Sequence, residues 1–263
     1  MTETLDGPDK NSVFQKISAG RKTVDFHSHI LPGIDDGSPN AETSVQMLHM
    51  AAEQGVDIQI LTPHYYPWRE TVKSFSQRRS ASFQRLSDAW KMEKPTLFCG
   101  AEVAFFSNIS RQDTDLIHTL CVEGSRILLI EMPFQSWTSD MADEIATLSL
   151  DRGFQIVLAH IERYLRYKRN RTYLEQMANL PIMLQINAET FLRYFGVGKV
   201  LNFVKTGHKI LLGSDAHNLT DRKPNLAAAR RRIENKFGGD VLRMMDESAM
   251  DALNMIDCER IRR

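Results

Sequence analysis

Residues 24–37 read "VDFHSHILPGIDDG". The stretch opens as a short apolar run and ends in a turn carrying Asp35, Asp36 and Gly37. His27 and His29 are two positions apart, and residues i and i+2 of a strand project to the same side. Two imidazoles held that way reach one cation at about 2.0–2.2 Å. Asp36 reads as a further ligand in the following loop, and Asp35 as a cap of the turn. A strand that ends in metal-ligand side chains raises the question of what the other strands end in.

Six more Val/Ile/Leu-rich runs follow: "VDIQILT", "PTLFCGAE", "RILLIE", "FQIVLAH", "IMLQIN" and "KILLGSD". They are nearly continuous, as strands buried on both faces are. Helical patterns separate several of them. In "SPNAETSVQMLHMAAEQG" Ser38 reads as the N-cap, Pro39 as the first helical residue and Gly55 as the stop. Strands alternating with helices predict one α/β domain with a parallel sheet. The runs end, in order, at His27 and His29, at His64, at Glu102, at Glu131, at His160, at Asn187, and at Asp215 and His217. In a βα barrel the C-terminal strand ends converge on one face, where the active site lies. These side chains therefore read as one ring. Together with Asp36 they are too many for a single tetrahedral zinc. Mixed imidazole and carboxylate donors suit Mn, Fe or Zn, and their number suggests two or three ions. His49, His118 and His208 fall in helical or loop contexts and read as ordinary packing or surface residues.

Composition narrows the function classes. The chain has 263 residues, with 33 basic and 33 acidic side chains and a net charge of zero. That balance argues against a broad nucleic-acid or anionic-membrane footprint. No apolar run is long enough to suggest a membrane span, and residues 1–22 lack the apolar core of a signal peptide. The expectation is a cytoplasmic protein, with a poorly ordered lead over 1–22 and a single domain over 23–263. Cys99, Cys121 and Cys258 are too few and scattered for a disulfide framework. A cysteine phosphatase needs C-x5-R, and "CVEGSR" is one residue short between Cys121 and Arg126.

The motifs "DFHSHILPGIDDG", "TPHY", "GAEV", "IEMP", "AHIERY" and "GSDAHN…R" together resemble the polymerase-and-histidinol-phosphatase (PHP) superfamily. More closely they resemble its bacterial manganese-dependent protein-tyrosine-phosphatase branch, found in capsular and exopolysaccharide systems. The resemblance implies a distorted (β/α)7 TIM-like barrel with its active site at the C-terminal strand ends and three metal ions, Mn2+ foremost. Carried over by position, the ligands are His27, His29, Asp36, His64, Glu102, Glu131, His160, Asp215 and His217. Arg163 and Arg222 stand where the family's phosphate-binding arginines stand. The implied substrate is phosphotyrosine on a protein, and the implied partner a membrane-associated tyrosine autokinase with a tyrosine-rich tail. Clustered cations acidify water and neutralise phosphoryl oxygens, and the arginines clamp the phosphate. Asp215 or a metal-bound water is left as the candidate general acid. Tyr65, Tyr66 and Trp68 are candidates for an aromatic rim, or else anchors of their loop. The rival substrate is a small phosphomonoester such as histidinol phosphate, and the rival class a non-catalytic metal-binding module.

Overall fold

Each of the seven apolar runs forms a parallel strand. The segments are β1 (Val24–Asp25), β2 (Ile58–Leu61), β3 (His64–Tyr65), β4 (Thr96–Cys99), β5 (Glu102–Ala104), β6 (Ile127–Glu131), β7 (Gln155–Leu158), β8 (Met183–Asn187) and β9 (Ile210–Gly213). The computed structural model describes residues 22–193 and 197–256. Residues 1–21 of the expected lead, and Cys258, lie outside the described residues.

Two of the seven strands are broken. Pro63, which has no N–H to donate, separates β2 from β3, and Gly100 and Ala101 separate β4 from β5. Pairing continues across both breaks, because the Gly100 N–H donates to the Leu61 carbonyl at 2.8 Å and the Glu102 N–H to the Pro63 carbonyl at 3.0 Å. The segments order as β1-β2-β4 and as β3-β5-β6-β7-β8-β9, all parallel. The ring then closes from β9 to the chain leaving β1. Phe26 N–H donates to Leu212 O at 3.0 Å, Asp215 N–H to His27 O at 2.8 Å, and His29 N–H to Ala216 O at 2.9 Å. This is the expected distorted seven-stranded barrel.

The strand period divides the apolar side chains into two sets. Leu128, Ile130, Ile156, Leu158, Leu184 and Ile186 pack outward with the surrounding helices. Ile58, Ile60, Ile127, Leu129, Val157 and Met183 fill the interior together with Ala249, Ala252, Leu253 and Ile256. The C-terminal helix Gly239–Leu253 thus plugs the barrel opposite the strand ends, a role its own amphipathic pattern does not announce. Arg230 pairs with Asp246 and ties the preceding helix Leu226–Phe237 to it.

The first helix begins later than its sequence suggests. It spans Ala41–Glu53, and Asn40, not Ser38, is the N-cap, accepting from the Thr43 N–H at 2.9 Å. Ser38 is engaged elsewhere: its N–H donates to the His29 carbonyl at 3.0 Å and its hydroxyl to the Asn40 carbonyl at 3.0 Å. It closes the loop under the histidine motif. Gly55, at φ +78°, ends the helix as expected.

Candidate metal centre

The geometry starts from how two buried rings are oriented. His27 Nδ1 faces Gln185 Oε1 at 3.0 Å. That amide has only one consistent orientation, since its oxygen also accepts from the His160 N–H and its nitrogen donates to Asn187 Oδ1. His27 Nδ1 therefore carries the proton. His29 Nδ1 donates to Asp35 Oδ2 at 2.7 Å. Both rings then turn a bare Nε2 toward the interior, and the two nitrogens are 3.1 Å apart. Two lone pairs that close repel unless a metal cation or a proton lies between them, and a metal would take the place of the proton.

The remaining donors gather around that point. Glu102, from β5, puts Oε2 within 3.2 Å of His27 Nε2, 3.3 Å of His29 Nε2 and 3.0 Å of His64 Nδ1. Its Oε1 is 2.8 Å from His160 Nε2, which lies 3.4 Å from Glu131 Oε1. Asp215 Oδ1 is 3.5 Å from His29 Nε2 and 3.6 Å from His217 Nδ1. Asp36 lies on the outer side, its Oδ1 3.6 Å from both His64 Nε2 and His217 Nε2. His217 Nδ1 donates to the Asp215 carbonyl, which leaves Nε2 buried and without a hydrogen-bond partner.

Three donor sets result: His29, Asp36, His64 and His217; His27, His29 and Asp215; and His64, Glu102 and Glu131. Within each, one ligand atom per residue lies within 4.8 Å of every other. His29 and His64 each fall in two of the sets, and since a neutral imidazole has one free lone pair, each would hold a single ion. His160 falls outside the three sets and faces Glu102 and Glu131. Burial alone would raise the Glu102 carboxyl, but His27, His64 and His160 outweigh it and hold the group well below the usual carboxylate range. Burial likewise pulls His29 down, and Asp35 and Glu102 reverse that and push it well up. Burial and the neighbouring His29 together press His217 down to about 4, which leaves its ring neutral, as a metal donor must be. Crowded anions, bare imidazole nitrogens and an orphaned Nε2 fit a polynuclear metal site in their donor chemistry.

Asp215 divides its two oxygens. Oδ1 faces the histidines, while Oδ2 takes the Asn187 amide at 2.8 Å, Arg222 at 2.9 Å and Arg163. Arg163 thus pairs with Asp215 rather than with its neighbour Glu162, and remains 38% exposed. Asp215 (φ +53°) and His160 (φ +31°) have left-handed backbones. Non-glycine residues there carry strain of about 1–3 kcal/mol, which tends to collect at functional sites. Here the turn re-aims each side chain at its strand end.

A sequence model of the family described as Capsular polysaccharide synthesis, CpsB/CapC, matches residues 23–254. The chain belongs to the CpsB/CapC family. It is 27% identical to the tyrosine-protein phosphatase YwqE of Bacillus subtilis over 230 residues, 86% of this chain and 89% of that one. It is 26% identical to the tyrosine-protein phosphatase CpsB of Streptococcus pneumoniae over 230 residues, 82% of this chain and 91% of the relative. The crystal structures of YwqE and S. pneumoniae CpsB, described as unique metal-dependent tyrosine phosphatases, provide a fold match. Its TM-score is 0.71 at 23% identity, covering 89% of this chain and 94% of that one.

In this CpsB/CapC chain the strand-end residues do converge, and two expectations change. Asp35 is more than a turn cap: besides His29 it accepts from the His64 and Gly37 N–H groups. Tyr65 is buried against Phe75 and forms no rim. Tyr66 stacks on His64 at 5.0 Å, and Trp68 is 66% exposed. His49 packs on Trp90 and His208 on Phe203, as ordinary residues do. Cys99 and Cys121 are buried, and burial pushes both thiols up to about 12, which leaves no thiolate nucleophile among the described residues.

Gln185 and Asp35 were missed as orienting groups. The available signal was a glutamine inside the apolar run "IMLQIN", since a buried polar residue is the informative exception. Asp35→Asn is expected to weaken metal binding about 10–100-fold, read by titration with Mn2+. Wild-type affinity would remove Asp35 from the site. Gly213 is constrained by space: a Cβ there would lie 2.6 Å from the His27 Cβ and 2.7 Å from Gln185 Nε2. Gly213→Ala should therefore lower metal content in a folded protein, and unchanged content would show that the pair tolerates displacement.

Proposed function

We propose that this chain is a metal-dependent protein-tyrosine phosphatase of capsular or exopolysaccharide synthesis. Its substrate in this reading is phosphotyrosine on a protein, the tyrosine-rich tail of a membrane-associated tyrosine autokinase, met in the cytoplasm. Residues 23–263 act as a single catalytic domain. The observation that carries the reading is the junction at Asp215. One oxygen faces the donor sets and the other holds two half-exposed arginines beside them.

His27, His29, Asp36, His64, Glu102, Glu131, His160, Asp215 and His217 would hold the ions, with Mn2+ favoured over Fe or Zn. When bound, such ions acidify water and neutralise phosphoryl oxygens. The chain's own groups do the rest. Arg163 and Arg222 present planar N–H forks that match a phosphate's oxygens. The neighbouring His27 and His29 rings and the Arg163 guanidinium outweigh burial and hold Asp215 as an anion, so it orients and ligates rather than donating a proton at neutral pH. A phenolate, with a free pKa of about 10, is a tolerable leaving group without a dedicated acid. In the described residues no helix is long and apolar enough to cross a membrane. Net charge zero also supports a protein rather than a nucleic-acid substrate.

The test is turnover by metal-stripped protein, with and without Mn2+, of a phosphotyrosyl peptide and of histidinol phosphate. Mn2+-dependent release from the peptide, with little from histidinol phosphate, is expected. The reverse preference would move the protein to small-molecule metabolism, and bound metal without turnover of either would leave a binding module.

A further inference from the structure

The loop after β6 is held unusually firmly for a loop that leaves a large apolar side chain in the open. The Pro133 carbonyl accepts from the Trp137 indole N–H at 3.0 Å. The Phe134 carbonyl accepts from the Tyr167 hydroxyl. Asn170 grips both remaining ends, its oxygen taking the Trp137 N–H and its nitrogen donating to the Gln135 carbonyl, each at 2.8 Å. Behind the loop, Trp137 packs on the fully buried Tyr164 at 5.0 Å. Of the loop's two aromatic side chains, Trp137 is buried and Phe134 is left 41% exposed.

The exposed ring stands beside the metal centre. It stacks on His160 with centroids 5.8 Å apart and an interplanar angle of 25°, and on Tyr164 at 5.7 Å and 29°. His160 touches both Glu102 and Glu131. One side of the phenyl is thus spent on the histidine wall, while the rest faces solvent at the mouth where the strand ends converge. A pinned backbone with an open apolar ring is what a rigid aromatic platform requires, because little conformational entropy is lost when a second ring settles on it. Around His64 the aromatic faces are already engaged with one another: Tyr66 stacks on His64, Trp68 lies 5.2 Å from Tyr66, and the Arg69 guanidinium lies 4.5 Å from the Tyr66 ring centroid.

We infer that Phe134 is a specificity-determining residue that selects aryl over alkyl phosphates by seating the aromatic ring of the substrate beside the metal centre. The inference rests on the phosphotyrosine reading above and adds to it the surface that recognises the ring. Phosphoserine or an alkyl phosphate would find the same arginines and metal ligands but would leave this face wet.

The test separates binding from chemistry by using phosphonates, which are not hydrolysed. Mn2+-loaded wild type, Phe134→Ala and Phe134→Tyr are titrated calorimetrically with phenylphosphonate and methylphosphonate, and bound metal is quantified for each. Phe134→Ala is expected to weaken phenylphosphonate about tenfold and methylphosphonate less than about twofold, with metal content unchanged. Phe134→Tyr should keep the wild-type ratio. A ring that merely props His160 would weaken both ligands alike and lower metal content, and that result overturns the inference, as does an unchanged ratio. Because no turnover is read, a wild type that binds phenylphosphonate through Phe134 yet fails on phosphotyrosyl peptide would overturn the phosphatase reading alone.

Discussion

Glu102→Gln is expected to lower kcat/KM by about a thousandfold or more and to strip metal from the centre. The substitution keeps shape and removes one charge. That charge lies within 3.3 Å of ring nitrogens on His27, His29, His64 and His160, and no other carboxylate of the cluster meets four histidines. Losing several kcal/mol of charge stabilisation at clustered cations corresponds to about three powers of ten in rate. Stability supplies an independent readout. Metal that binds only the native state adds about 2.7 kcal/mol at a hundred times its Kd, roughly 5–10 °C in Tm for a chain of this size. In the variant that Mn2+-induced rise should largely vanish. A Glu102→Gln protein that keeps its metal, its thermal shift and its turnover would show that the carboxylate is a structural counter-charge only.

Arg163→Ala is expected to lower kcat for a phosphotyrosyl peptide about 10²–10³-fold. This is the usual loss when a donor aimed at developing charge is removed. Arg163 is well placed for that role: one N–H is anchored on Asp215, while part of the guanidinium stays open at the mouth. Because Arg163 also steadies Asp215, metal content must be measured beside turnover. Full metal with lost turnover assigns the arginine to the phosphate; lost metal assigns it to Asp215. Arg163→Lys keeps the charge without the planar fork and should recover only part of the rate. Near-normal turnover in Arg163→Ala would remove it from the chemistry altogether.

The strand-end histidines and carboxylates were legible because chain order and period suffice to find them. A parallel barrel brings all C-terminal strand ends to one face, so a ligand at the end of each apolar run predicts a ring without any knowledge of distances. The orienting groups were less legible. Gln185 fixes His27 from a strand that no local pattern links to it: the two lie 158 positions apart and meet only because β9 closes onto β1 and carries β8 with it. Asp35 looked like a turn residue because turn chemistry and second-carboxylate chemistry use the same side chain. Among three adjacent aromatics, burial decided the roles: Tyr65 and Tyr66 are neighbours on β3 and after it, and the strand pleat sends one into the core and the other over His64.

By itself, then, the amino-acid order determined seven apolar strands alternating with helices and a ligand-type side chain at each strand end, since these follow from local periodicity; the seven-stranded barrel and the nine candidate ligands came from the resemblance of its motifs to a known family. Tertiary structure decided what depends on distance and direction. It set which Nδ1 atoms carry protons, and so which Nε2 atoms are bare. It set both arginines on one oxygen of Asp215. It put the last helix into the bottom of the barrel and left Phe134 open beside His160. Those outcomes arise from packing between segments far apart in the chain, where a few tenths of an ångström separate a hydrogen bond from a clash, and no local pattern encodes them.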